Sequence, residues 1–153
     1  MAVEHPRVFL AIGSQFENIE LVQIVVEESL RKFDLTDKTA HSIGLAVREA
    51  VANAIKHGNR EDPAKKVEVE FGVEAGEVFI AVSDHGEGFD PEQVKDPLDP
   101  ENLLRPSGRG LFFMNNFMDE IQYSFKDEGG TVVTLRKRLD STPPEEPQKE
   151  EDR

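Results

Sequence analysis

The chain has 153 residues, 37% of them hydrophobic, and a formal net charge of -13. One domain of this size buries roughly 68–70% of the surface its unfolded chain exposes, which is enough for a real core. The charge opposes contact with nucleic-acid phosphates, no apolar run approaches a membrane span, and the absence of cysteine excludes disulfides and thiolate metal sites. The first residues, "MAVEHPRVFL", lack the basic-then-apolar layout of a secretion signal, so a cytoplasmic location is expected.

In chain order, "RVFLAIG" (7–13) alternates and is rich in β-formers, which predicts a strand. Ser14 followed by Glu17 reads as a capping box opening a helix whose apolar stripe is Ile19, Val22, Val26, Leu30 and Phe33. Thr36 reads as the N-cap of a second helix, from about Asp37 to His57, ended by "HGN". "VEVEFGV" (67–73) and "VFIAVSD" (78–84), joined by "EAGE", form a predicted hairpin, and "DEIQYSF" and "TVVTLRK", joined by "KDEGG", a second one. Residues 91–108 hold Pro91, Pro97, Pro100 and Pro106 and read as a long loop, followed by a short helix from about Arg109 to Phe117. From Asp140 the chain has six acids, two bases, three prolines and no large apolar side chain, which predicts a disordered acidic tail over 140–153 after a folded domain over 6–139. Helices grouped before and between hairpins predict an α+β two-layer sandwich, a mostly antiparallel mixed sheet with helices on one face.

Three segments carry candidate chemistry. On the second helix Ile43, Val47, Ala50 and Ala54, flanked by Val51 and Ile55, face the core, while Glu49, Asn53 and His57 line one edge of that face at steps of four. A carboxylate beside an amide oxygen suits a hard cation such as Mg²⁺, although an ordinary solvated helix edge has the same appearance. In "VSDHGEGFD" (82–90), Asp84 continues the face of Val78, Ile80 and Val82, and a carboxylate there needs a donor, for which an adenine amine would serve. Gly86 and Gly88 would let backbone approach a ligand, but an Asp-Gly turn accounts for the same letters. In "RPSGRGLFFMNNF" (105–117) a glycine loop opens into a helix, a setting that attracts phosphate, with Arg105 and Arg109 at hand, although a plain helix start with surface arginines has the same letters.

The order of these segments resembles the GHKL, or Bergerat, ATP-binding fold shared by gyrase-type ATPases, MutL and histidine kinases. "EAVANAIKHG" looks like its N box, "DHGEGF" its first glycine box and "SGRGL" its second, over roughly residues 7–138. A stand-alone domain of this length with "GRGLFFMNNFMDEI" is similar to the bacterial anti-sigma-factor serine kinases of sporulation and stress response. The resemblance implies ATP and Mg²⁺ as cofactors, and a protein that binds a sigma factor and phosphorylates a serine on a small antagonist protein. It also implies a homodimer, with no direct role for nucleic acid or membrane. A non-catalytic ATP-binding partner-switching module is the alternative. Carried over, the pattern makes Glu49 the base and Asn53 the Mg²⁺ ligand. Asp84 becomes the acceptor for the adenine amine, with His57 and Thr131 beside the nucleotide. Gly86, Gly88, Gly108, Gly110 and Leu111 shape the pocket. Some members have an arginine where Pro106 stands here, so either Arg105 or Arg109 would reach the γ-phosphate.

Overall fold

A computed structural model of the chain describes residues 7–86 and 117–139. The first strand, β1, is Val8–Gly13 and the first helix, α1, is Glu17–Lys32. Helix α2 covers Asp37–Asn53 and passes directly into a π-helical turn, Ala54–Gly58. The remaining strands are β2 (Lys66–Glu74), β3 (Glu77–Ser83), β4 (Glu120–Phe125) and β5 (Thr131–Arg138). They form one five-stranded sheet in the order β1-β2-β3-β5-β4, and every pairing among the described residues is antiparallel.

Both expected hairpins are present. β2 and β3 meet at Ala75-Gly76, whose φ angles of 52° and 75° give the left-handed two-residue turn that suits strand twist. β5 lies between β3 and β4, so the connection leaving β3 returns to the sheet at its far edge.

Alternation along the strands sets the two layers. Val67, Val69, Phe71, Val78, Ile80, Val82 and Leu135 point to one face and are buried against Val22, Val26 and Leu30 of α1 and Ile43, Val47, Ala50 and Val51 of α2. The expected stripe of α1 and core face of α2 are both present, with Phe33 packed at the margin of the core. On the opposite face Arg7 lies over the Phe79 ring, 4.6 Å from its centroid, and donates to Glu70 and Glu74. The hydrogen bond to Glu74 is the main reason that its guanidinium is held above its usual range.

The helices approach closely where Gly44 of α2 meets Glu27 of α1: a Cβ at Gly44 would overlap the Glu27 carboxylate. Glu27 is only 9% exposed, and its charge is met by Gln23 at 2.8 Å, His41 at 3.1 Å and Arg31 at 3.5 Å.

Two local expectations are corrected. Thr36 does cap α2, accepting from the Thr39 N–H at 3.1 Å, but Ser14 does not cap α1. The residue before α1 is Phe16, and Ser14 instead turns inward, 1% exposed, with its hydroxyl committed to Lys65 O at 2.6 Å. The second correction concerns the end of α2. The regular helix stops at Asn53, and the Asn59 N–H reaches back to Ala54 O at 2.8 Å, one residue further than an α-helix allows. The expected loop over 91–108, the expected helix over 109–117 except for Phe117, and the tail over 140–153 lie outside the described residues.

Candidate nucleotide site

Glu49 and Asn53 are half-buried on α2, one turn and thus about 6 Å of rise apart. They occupy the expected margin between core and solvent. His57 is exposed on the π-helical turn, beyond the regular helix that carries Glu49 and Asn53. Such turns recur at functional sites because they re-aim the residues that follow. Here the residue re-aimed is Gly58. A Cβ on Gly58 would overlap the Asp84 carboxylate, so the end of the helix and the end of β3 touch through a glycine.

Asp84 stands just beyond β3, on the buried side of the sheet, and is 5% exposed. Its N–H donates to Thr131 O at 3.0 Å, which continues the β3–β5 ladder by one bond. Its Oδ1 accepts two peptide N–H groups, from Gly86 at 3.0 Å and Thr131 at 3.1 Å. Those two donors meet the requirement that a buried carboxylate be bonded, and they fix the plane of the group. Its Oδ2 faces Gly58.

Three glycines allow the close approaches around Asp84. Besides Gly58, a Cβ on Gly86 would overlap the Gly58 carbonyl oxygen, and one on Gly130 would overlap the Asp84 carbonyl oxygen. Gly130 also has φ +111°, open to glycine and strained for other residues. Sequence reasoning assigned Gly86 to backbone–ligand approach; its close neighbour in the structure is the backbone of the helix end. The glycines thus bring three segments, distant in the chain, into contact around one acid.

Beneath Asp84 lies a polar hub that sequence reasoning missed. Asn59, 1% exposed, accepts from the His85 N–H at 2.7 Å and donates to Ser14 Oγ at 2.8 Å and Lys66 O at 3.0 Å. Only its place directly after "HG" could have drawn attention to it; nothing in the letters marks a buried amide. His85 itself is exposed, with Nε2 3.2 Å from Glu68 Oε1.

Of the expected site residues, Glu49, Asn53, His57, Asp84, Gly86 and Thr131 are described, and the last three are in direct contact. Gly88, Arg105, Gly108, Arg109, Gly110 and Leu111 lie outside the described residues. Among the described residues no helix is long and apolar enough to cross a membrane, and no group of three or more His, Asp or Glu side chains forms a metal cage.

The fold agrees with comparisons to known proteins. The family model for the histidine kinase-like ATPase domain matches residues 12–137, and the chain belongs to that family. Within it, the chain is similar to the anti-sigma F factors of Anoxybacillus flavithermus and Geobacillus kaustophilus. Each is 35% identical over 134 residues, spanning 85% of this chain and 90% of theirs. The anti-sigma F factor of Clostridium perfringens is 35% identical over 130 residues, 82% of this chain and 91% of its own. Likeness of that degree over nearly whole chains sets this one in the anti-sigma F factor branch of the family.

Among solved structures, the RsbU and RsbW domains of a Mycobacterium tuberculosis protein superpose with a TM-score of 0.61 at 20% identity, over 88% of this chain, which spans 32% of that one. The catalytic domain of histidine kinase ThkA gives 0.53 at 18% identity, over 86% of this chain and 97% of its own. At those identities the likeness concerns the fold.

Proposed function

We propose that this protein is an ATP-dependent serine kinase and anti-sigma factor, which binds a sigma factor and phosphorylates a serine of that factor's small antagonist. The observation that carries the nucleotide half of the reading is the Asp84 carboxylate, buried, fixed by two peptide donors, and in contact with the end of the helix that bears Glu49 and Asn53. The relatives named anti-sigma F factors, matched along 90% of their length, support the partner half.

In this reading Asp84 accepts from the exocyclic amine of adenine. Glu49 takes the proton of the acceptor serine as its oxygen attacks the γ-phosphorus, while the bond from that phosphorus to the bridging oxygen of the β-phosphate breaks and ADP leaves. Asn53 offers a neutral oxygen one helical turn away. That donor set fits Mg²⁺ arriving with the nucleotide, because this ion keeps waters and phosphate oxygens and needs few protein ligands. When bound, Mg²⁺ neutralises charge on the phosphates; it is Glu49 and Asn53 that bring serine and triphosphate into register. His57 and Thr131 flank the nucleotide, while Gly86, Gly88, Gly108, Gly110 and Leu111 shape its pocket. Arg105 or Arg109 contacts the γ-phosphate. Function in this pathway places the protein in the cytoplasm.

A homodimer belongs to the same reading. Leu21, Ile24 and Val25 of α1 are 57%, 54% and 39% exposed and form one apolar patch, and β1 is a sheet edge within the chain. Surfaces of this kind mark protein contacts.

The test is labelled ATP with the cognate antagonist. Label on the antagonist's serine is the expected result. Nucleotide binding with no transfer would replace the kinase by a binding module that switches partners without chemistry.

A further inference from the structure

We infer that Asn59 is a positioning residue for purine recognition, acting through the backbone that carries Asp84. This rests on the reading of Asp84 as the acceptor for the adenine amine.

The backbone from Asp84 to Gly86 is held at successive peptide groups. Asp84 N–H bonds to Thr131 O, His85 N–H to Asn59 Oδ1, and Gly86 N–H to the Asp84 carboxylate itself. The central bond is the shortest of the three at 2.7 Å, and it is the one made by a side chain from outside the site. The Asn59 amide is itself fixed. Its donors go to Ser14 Oγ at the end of β1 and Lys66 O at the start of β2, and Ser14 Oγ donates onward to Lys65 O. An amide with both donors and its acceptor engaged cannot turn, so the position of His85 N is tied to the ends of β1 and β2.

A second observation lies in the backbone. Arg60 and Glu61, directly after Asn59, have φ angles of 53° and 60°, a conformation that such residues adopt only where surrounding contacts require it. The Glu61 N–H bonds to Ile55 O at 2.7 Å, closing this loop against the π-helical turn. The chain therefore holds an uncommon conformation at the point where it delivers Asn59 beneath Asp84. A residue whose only task was to fill space there would need neither the amide geometry nor this loop.

The consequence is specific. Loss of Asn59 frees the His85 peptide, lets the Asp84 carboxylate shift relative to the purine edge, and leaves the triphosphate contacts of the helix and glycine loops in place. Discrimination by the purine amine should fall while affinity for the rest of the nucleotide persists.

The experiment measures dissociation constants for ATP and for purine riboside triphosphate, which lacks the exocyclic amine, on the full chain as wild type, Asn59→Ala, Ser14→Ala and Asp84→Asn. The ratio of the two constants within one preparation is independent of the fraction folded. Wild type should favour ATP, and Asn59→Ala should reduce that preference about tenfold, the scale of one fixed buried hydrogen bond. Ser14→Ala, which removes one anchor of the amide, should reduce it about threefold. If Asn59→Ala fails to fold, Ser14→Ala decides alone. A preference kept intact in the variants, or equal weakening of both nucleotides, overturns the role of Asn59. Wild type that binds both nucleotides equally, with Asp84→Asn unchanged, overturns instead the reading of Asp84, and this inference with it.

Discussion

The Thr131 N–H donates to Asp84 Oδ1 at 3.1 Å across 47 positions of sequence, and the Asp84 N–H returns a bond to Thr131 O at 3.0 Å. This reciprocal pair locks the acid at the junction of β3 and β5, leaving Oδ2 on the side of Gly58.

Replacing Asp84 with Asn tests what that second oxygen does. Asn keeps the shape and can keep an oxygen toward Thr131 and Gly86, but it presents an NH₂ in place of Oδ2. A donor would then face the adenine amine. ATP affinity should fall on the order of 10²-fold, since a charge-assisted bond is lost and two donors are opposed. Calorimetric titration of the variant checks this; affinity within twofold of wild type would count against Asp84 as the purine acceptor.

Gly58 admits no side chain. In Gly58→Ala the new methyl group overlaps the Asp84 carboxylate, which is held from the other side by peptide donors and cannot retreat without breaking them. Stability should fall by about 1–3 kcal/mol, the usual cost of overpacking, and ATP binding should be lost well beyond what the unfolded fraction explains. Thermal denaturation and nucleotide binding on the same sample separate the two effects.

Glu49 and Asn53, one turn apart, should divide binding from chemistry. Glu49→Gln should bind ATP as wild type does and transfer phosphate roughly 10²–10⁴-fold more slowly, as expected on removing a general base. Asn53→Ala should lose the Mg²⁺-dependent part of ATP affinity. Rapid-quench transfer assays and titrations with and without Mg²⁺ check both; transfer at the wild-type rate in the first variant would leave Glu49 a purely structural role.

The exposed patch on α1 makes a prediction about assembly. Ile24→Asp puts a charge in the Leu21–Ile24–Val25 patch at a position that is 54% exposed, so the chain should stay folded and become monomeric. Sedimentation analysis reads the mass directly. A dimer that persists would move the contact elsewhere.

Much of this molecule was legible in the linear order of its residues. Strand alternation, the 3.6-residue stripe from Ile19 to Leu30, the Thr36 cap and the Ala75-Gly76 turn all depend on neighbours within a few positions. Physical chemistry at that range is written locally, and so were the three motifs that resemble a nucleotide-binding family.

What the letters did not carry is what the distant contacts decided. Ser14 has the look of a helix cap next to Glu17, and the local competition between capping and burial was settled by Asn59, 45 positions away. The end of α2 reads as regular helix, yet a π-helical turn forms there and brings Gly58 onto Asp84. Asn59 reads as the polar end of "HGN" and becomes a buried hub only because the ends of β1, β2 and β3 converge on it. By itself the sequence determined the periodic elements, their layers and the motif residues, because those follow from side-chain spacing and local backbone preference. How β1 and the two hairpins are ordered in the sheet, which polar groups are shut away from water and which glycines are forced by contact were decided by the tertiary structure alone. A buried hydrogen bond or a close approach between segments requires both partners, and the chain brings them together only on folding.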